Sequence, residues 1–363
     1  MNLKNLNFEN EVNNSINTLS PYVGKMRIEL AKFLIEHYSS QGSVIYDPFA
    51  GSGTVLLEGW ELGHMVVGND LNYYAYVLSM GKLHPYESLK EAKEKLLRYK
   101  NNVEHKSEAI NIDDTPEWVK GFFNEKTLKE IISWTECLKK NKEWFFLSCL
   151  MGILHHQRPG FLSYPASNGA PYLRCDKFPM ELFPEMYNYK NVYEKLLLKV
   201  ERSYKKVPKF DFALSRTMFN KDSSTIRFKK KRFSTIITSP PYMKSLTYAR
   251  DNRLRLWFLG VNDWCELDKK ISPSKNAFIE MINTCFRKWS KLQCTGDKCV
   301  IVIGDIYIKY NGKKLPLSEI LVDMSKKYYT CVELFKDPIP EAKKVVKGNR
   351  SIKQEIIIVL ERK

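Results

Sequence analysis

"GSVIYDPFAGSGTVLLEGWELGHMVVGNDLN", residues 42 to 72, reads as a strand, a glycine turn, a helix and a second strand. "SVIYD" is a short apolar run of the kind that forms a buried parallel strand. "PFAGSGT" is a tight turn, "VLLEGWELG" has helical apolar spacing closed by Gly63, and "MVVGND" is the second strand. Gly51 and Gly53 let backbone approach a ligand closely, and the loop feeds a helix N-terminus. Asp70 follows Gly51 by 19 residues, at the carboxyl end of the second strand. An acid there can accept hydrogen bonds from ribose hydroxyls. The unit predicts an α/β fold.

The ligand can be narrowed from the same residues. The full dinucleotide fingerprint GxGxxG is absent, because position 56 is Leu. A pyrophosphate cradle therefore fits less well than a site for an adenosyl group without phosphates. Asp47, in Asp47-Pro48-Phe49, would repel phosphate oxygens but suits a cationic amino-acid group. S-adenosyl-L-methionine has both parts.

Composition sets outer bounds. The chain has 363 residues, 44% apolar and 27% charged, as in an ordinary globular protein. No run approaches the roughly 20 apolar residues of a membrane span, so no membrane partner is expected. The opening "MNLKNLNFENEVNNSINTLS" has no apolar signal core, and a cytoplasmic location is expected. Eight cysteines lack CxxC spacing and several sit in apolar runs, which predicts buried free thiols. His155 and His156 are adjacent, so on a helix they would point to different faces; no metal site is expected. A formal charge of +17 favours a polyanionic partner. "VERSYKKVPKF" (200–210) and "RFKKKRF" (227–233) interleave basic and aromatic residues.

A second stretch, "TIITSPPYMKSLTYARD" (235–251), starts as a buried strand at Ile236 and Ile237. It then runs into Thr238-Ser239-Pro240-Pro241-Tyr242. Two consecutive prolines remove two donors and cannot continue a central strand, so the strand ends on a rigid polar corner.

"DPFAGSGT" followed by "TSPPY" resembles the amino-group DNA methyltransferases, which methylate cytosine N4 or adenine N6. "SPYVGKM" (20–26) is similar to the family's segment over the methionine end of the cofactor, and "NKDSSTIRF" (220–228) resembles its strand-end acid that contacts adenine. The likeness covers residues 20–84 and 216–260 best. It implies a Rossmann-like class I methyltransferase, a doubly wound, mostly parallel sheet with an antiparallel edge strand, plus a largely helical insertion. S-adenosyl-L-methionine is then the cofactor, held by Tyr22, Lys25, Asp47, Phe49, Gly51, Gly53, Thr54, Asp70 and Asp222. Ser239, Pro240, Pro241 and Tyr242 become the catalytic corner. The Ser239 hydroxyl and Pro240 carbonyl would accept hydrogen bonds from the target amino group, and Tyr242 would stack on a flipped base.

The expected organisation is a cofactor half (1–84), a helical and irregular insertion for target recognition (85–215) and a catalytic half (216–363). The insertion contains "TLKEIISWTECLKK", "WFFLSCLMGILHH" and "VYEKLLLKVERSYKK" as helical patches, around an irregular "QRPGFLSYPASNGAPYLRCDKFP". Arg158 and Arg174, with Lys229, Lys230 and Lys231, are the candidate DNA contacts. "CVIVIGDIYI", "TCVELF" and "QEIIIVLER" read as later strands, and "VVKGNRS" as a hairpin or DNA-facing loop. In this family Ser at the first catalytic position is commoner for cytosine N4, and Asp for adenine N6. The resemblance thus implies a site-specific cytosine-N4 methyltransferase of a restriction–modification system, with double-stranded DNA and a cognate restriction endonuclease as partners. Adenine N6 is the near alternative. An RNA base methyltransferase would carry an added module before the glycine motif, where about 20 residues precede "SPYVGKM". A catalytically silent binding module would not keep both motifs intact.

Overall fold

The computed structural model describes residues 14–229, 232–241, 243, 247–338 and 354–363. Among the described residues a short 3-10 helix (Ser15–Thr18) precedes helix α1 (Ile28–Tyr38), strand β1 (Val44–Asp47), α2 (Thr54–Glu61), β2 (Met65–Asn69) and α3 (Tyr73–Leu83). A helical run follows: α4 (Leu89–Glu108), α5 (Glu117–Lys120), α6 (Glu125–Lys140), α7 (Trp144–Gly152) and α8 (Val192–Ser203). β3 (Arg216–Phe219) and β4 (Thr235–Thr238) return to the sheet, and α9 (Tyr248–Asp251), α10 (Arg253–Phe258), α11 (Trp264–Ile271) and α12 (Lys275–Trp289) come next. The chain closes with β5 (Lys298–Gly304), β6 (Tyr307–Tyr310), β7 (Lys313–Pro316), α13 (Leu317–Ser325), β8 (Tyr329–Pro338) and β9 (Gln354–Arg362).

Seven strands form one sheet in the order β3-β2-β1-β4-β5-β9-β8. The first five are mutually parallel, and β9 pairs antiparallel with both β5 and β8. The antiparallel strand thus lies one position in from the edge, with β8 outside it. From β1 the chain proceeds outward to β2 and β3 on one side, and β4 starts the other half next to β1. The β1/β4 boundary is therefore the topological switch point, where crevices open at the carboxyl ends of strands.

Alternation along each strand sends side chains to two cores. Ile45, Ile237, Val300 and Val302 join one core with α1, α2 and α3; Tyr46, Ile236, Cys299 and Ile301 join the other with α12 and α13. Both faces are buried, so the strands read as continuous apolar runs. The apolar faces of α4, α6, α7 and α8 continue the first core and form no separate one.

Three expectations shift in detail. The "WFFLSCLMGILHH" helix stops at Gly152, where the backbone meets the Leu19 carbonyl too closely for any Cβ. "CVIVIGDIYI" splits: β5 ends at Gly304 and β6 belongs to a separate two-stranded hairpin with β7. All eight cysteines are free, but only Cys149, Cys285 and Cys299 are buried. "VVKGNRS" lies outside the described residues. Among the described residues, no helix is long and apolar enough to cross a membrane.

Candidate active site

The carboxyl ends of β1, β2, β3 and β4 open on one cleft. Tyr22 and Lys25 reach it from the segment before α1, and Asp47, Phe49, Gly51 and Thr54 from the loop between β1 and α2. Asp70 follows β2, Asp222 follows β3, and Ser239 and Pro241 follow β4. Ten residues singled out from sequence therefore share one cavity. Two parallel strands adjacent in the sheet explain how Asp47 and Ser239, far apart in the chain, become neighbours.

The loop is shaped by its glycines. Gly51 has φ 51° and Gly53 φ 72°, left-handed conformations that side chains rarely adopt. Gly53 caps α2 from behind the cleft, and a Cβ there would lie 2.6 Å from the Ser79 Oγ. Over Gly51 sits the Tyr22 ring, its Cε1 3.4 Å from where a Cβ would be. Tyr22 in turn packs on Tyr248 with centroids 6.3 Å apart and planes at 27°, and burial raises its hydroxyl pKa.

Two carboxylates tie the loop to the sheet. Asp70 accepts the Gly51 N–H at 2.7 Å and the Asn72 N–H at 2.8 Å. Asp47 accepts the Thr238 hydroxyl at 2.7 Å and the Phe49 N–H at 3.1 Å, joining β1 to β4. Burial outweighs these donors in both cases. It pushes the Asp47 carboxyl up to about 7 and the Asp70 carboxyl up to about 6. Asn69, buried, donates to the Pro48 carbonyl, the Lys221 carbonyl and Ser223 Oγ, at 3.3, 2.8 and 2.9 Å, and so fixes the β3 turn against the glycine loop. Within that turn Asp222 accepts the Ser224 N–H at 2.7 Å.

The remaining candidates divide. Pro240 is buried between Ser239 and Pro241. Arg158, Arg174 and Lys229 are exposed and do not line the cleft. Arg174 donates to Gln157 at 3.2 Å. Tyr242, Lys230 and Lys231 lie outside the described residues. His155 and His156 serve the backbone: the His155 ring meets the Ser167 carbonyl at 2.9 Å, and His156 accepts the Arg158 N–H at 3.0 Å.

The lining residues not singled out from sequence include four from the helices after β4: Tyr248 on α9, Lys270 and Ile271 on α11, and Met281 on α12. Asp268 holds α11 against α9 by accepting the Ala249 N–H at 2.8 Å. Only Tyr248 had a visible signal, as the second aromatic after the Pro-Pro corner.

The lining fits an adenosyl group carrying an amino-acid cation. Met26, Phe49, Leu71 and Ile271 supply apolar surface. The hydrogen bonds that Asp47 and Asp70 accept come from the Thr238 hydroxyl and from backbone N–H groups of Phe49, Gly51 and Asn72, which are neutral donors.

Comparison with known proteins agrees with this geometry. Residues 4–80 match the profile of the N6/N4 methyltransferase family, described as DNA methylase. The type II methyltransferase M.MvaI of Kocuria varians is 25% identical over 285 residues, covering 71% of this chain and 60% of its own length. M.BsoBI of Geobacillus stearothermophilus, also a type II methyltransferase, is 25% identical over 306 residues, covering 76% and 58%. This chain thus spans less than two thirds of the curated relatives it matches. Among solved structures, TrmN from Thermus thermophilus aligns over 94% of this chain and 50% of its own, at 11% identity and a TM-score of 0.38. With the glycine loop, Ser239 and Pro241 opening on a single cleft, the chain resembles the amino-group DNA methyltransferases, over residues 4–80 in the family profile and at 25% identity in the two type II enzymes.

Proposed function

We propose that this protein methylates the exocyclic N4 of cytosine at a specific site in duplex DNA, after the base is rotated out of the helix. The observation that carries the reading is Ser239, at the first catalytic position, opening on the same cleft as Asp47 and Asp70. S-adenosyl-L-methionine, when bound, supplies an electrophilic methyl group on a sulfonium. Asp70 is suited to the ribose hydroxyls, Asp47 to the cationic amino-acid end, and Asp222 to the adenine edge. Tyr22, Lys25, Phe49, Gly51, Gly53 and Thr54 complete that half of the site.

The target nitrogen is a weak nucleophile because its lone pair is delocalised into the ring. Its two N–H groups donate to the Ser239 hydroxyl oxygen and the Pro240 carbonyl, which favours a pyramidal nitrogen. The same acceptors stabilise positive charge as it grows on nitrogen. Pro240 and Pro241 hold that carbonyl rigid before the substrate arrives. Tyr242 stacks on the extruded base and offsets part of the unstacking cost.

Residues 85–215 serve target recognition in this reading, with Arg158 and Arg174 on phosphates or bases and Lys229, Lys230 and Lys231 on the DNA backbone. Similarity to two type II methyltransferases supports a role in a restriction–modification pair, acting on cytoplasmic DNA beside a cognate endonuclease. One experiment tests the chemistry: incubate duplex DNA with the protein and methyl-labelled cofactor, digest to nucleosides and identify the product by mass. N4-methylcytosine is expected. N6-methyladenine would overturn the choice of base, and label absent from DNA but present in a parallel incubation with RNA would overturn the choice of substrate.

A further inference from the structure

The β6–β7 hairpin stands outside the seven-stranded sheet, and the cleft makes no use of it. An isolated two-stranded ribbon is marginal in water, yet this one is built stiffly. Its turn, Asn311-Gly312, has φ 47° and 78°, the left-handed pair that matches the twist of a tight hairpin. The Leu317 N–H donates to the Ile306 carbonyl at 2.9 Å, and Lys275 Nζ at the start of α12 to the Lys309 carbonyl at 2.5 Å. β5 runs parallel to β4, so the hairpin leaves the sheet at the same edge where β4 delivers Ser239.

Register decides what the ribbon presents. Tyr307 is opposite Pro316 and Lys309 opposite Lys314, so Tyr307, Lys309 and Lys314 share a face. Tyr307 is 59% exposed, and both lysines are exposed. Like charges directly opposite across antiparallel strands are destabilising. Among the described residues, neither lysine has a carboxylate within ion-pair distance. A stiff ribbon that holds two unneutralised cations and an open aromatic on one face is suited to an anionic partner. Beside a corner that receives a base, the nearest anions are the phosphates flanking that base.

We propose that the β6–β7 hairpin grips duplex DNA next to the target base, with Lys309 and Lys314 on neighbouring phosphates and Tyr307 packed on the sugar edge between them. The inference rests on the DNA reading above and adds a contact surface separate from the insertion and from Lys229–Lys231. Flexible four-carbon stems let the two opposed ammonium groups spread to successive phosphates. The hairpin then carries part of the salt-dependent affinity, and Tyr307 a part that salt does not touch.

The test compares the parent with Lys309→Gln/Lys314→Gln and with Tyr307→Ala, using fluorescence anisotropy of labelled duplex DNA over a range of salt. The parent should lose affinity linearly in log salt. The double variant should show a slope shallower by about 1.8, at roughly 0.9 per phosphate. Its cofactor affinity by calorimetry should be unchanged, and its melting temperature unchanged or higher, since a repulsive pair is gone. Tyr307→Ala should weaken binding at every salt concentration with the parent slope. A double variant with the parent slope overturns the hairpin contact and leaves the DNA reading standing. A parent that binds cofactor but no duplex overturns the DNA reading, and the hairpin contact with it.

Discussion

In the proposed site, the Asp47 carboxyl should make cofactor binding depend on pH, with a direction that follows from its burial. Buried beside the glycine loop, it is pushed from the ordinary 3.8 up to about 7, although Thr238 and Phe49 both donate to it. A cationic amino group placed next to it favours the ionised form. Above pH 7 the carboxylate is already charged and binding runs at full strength. Below pH 7 it must first release a proton, so affinity should fall toward tenfold per pH unit, about 1.4 kcal/mol each. Asp70, at about 6, adds a second proton below that point. Above pH ~8 the ligand's own α-amino group deprotonates, which leaves a maximum between about 7 and 8. Calorimetry at pH 6 in buffers of different ionisation enthalpy should show between about one and about 1.5 protons released per cofactor bound, most of it from Asp47 and the rest from Asp70. Asp47→Asn should bind more weakly at pH 7.5 and, at pH 6, release only the Asp70 share of about half a proton. The sign for stability follows the same shift. A folded-state pKa raised above the unfolded value gives stability that is present at acid pH and lost as pH rises through about 7. Cofactor relieves that loss, so the gap in melting temperature between free and saturated protein should widen from pH 5 to 7. A flat affinity profile with no proton release at pH 6 would refute the assignment of Asp47 to the cationic group.

Asp70→Ala should weaken cofactor binding by about 1–3 kcal/mol, the scale of lost charge-assisted hydrogen bonds; unchanged affinity in a folded variant would remove Asp70 from the ribose. Gly53→Ala forces a left-handed alanine into Ser79, and should destabilise the protein by about 1–3 kcal/mol in denaturant unfolding. An unmoved midpoint would show that the loop is more plastic than its φ values imply. Ser239→Ala should slow single-turnover methyl transfer by about 2–4 kcal/mol, on the scale of a deleted oxyanion donor, with cofactor affinity intact. Transfer at the parent rate would make the Ser-Pro-Pro corner structural.

Much of the sheet was legible because its strands are short and announce themselves. Val44–Asp47, Met65–Asn69 and Gln354–Arg362 are apolar runs, and a strand buried on both faces, whether parallel like the first two or antiparallel like the third, has no polar alternation to blur it. What escaped were junctions. Gly152 ends α7 because of a backbone contact with Leu19, a residue distant in the chain, and no local propensity carries that information. At Gly304 the apolar run continues into Tyr307 and Ile308, so hydrophobicity alone could not show that the chain leaves one sheet and starts another.

The site divides along the same line. Residues that must be glycine, proline or acid for geometric reasons were visible: Gly51 and Gly53 need left-handed backbone, Pro240 and Pro241 stop a strand, and Asp47 and Asp70 sit at strand ends. Ile271 and Met281 only supply apolar surface, and nothing in an amphipathic helix distinguishes the side chain facing a ligand from the one facing the core. Tyr248 stands between these classes. Its place in the cleft depends on Asp268 receiving the Ala249 N–H, and so on α11 folding back over α9. That contact links two short helices whose own hydrogen bonds would not hold them in water. The wall of the cleft opposite the glycine loop therefore depends on tertiary packing rather than on local propensity, which is why the loop could be read from sequence and the wall could not.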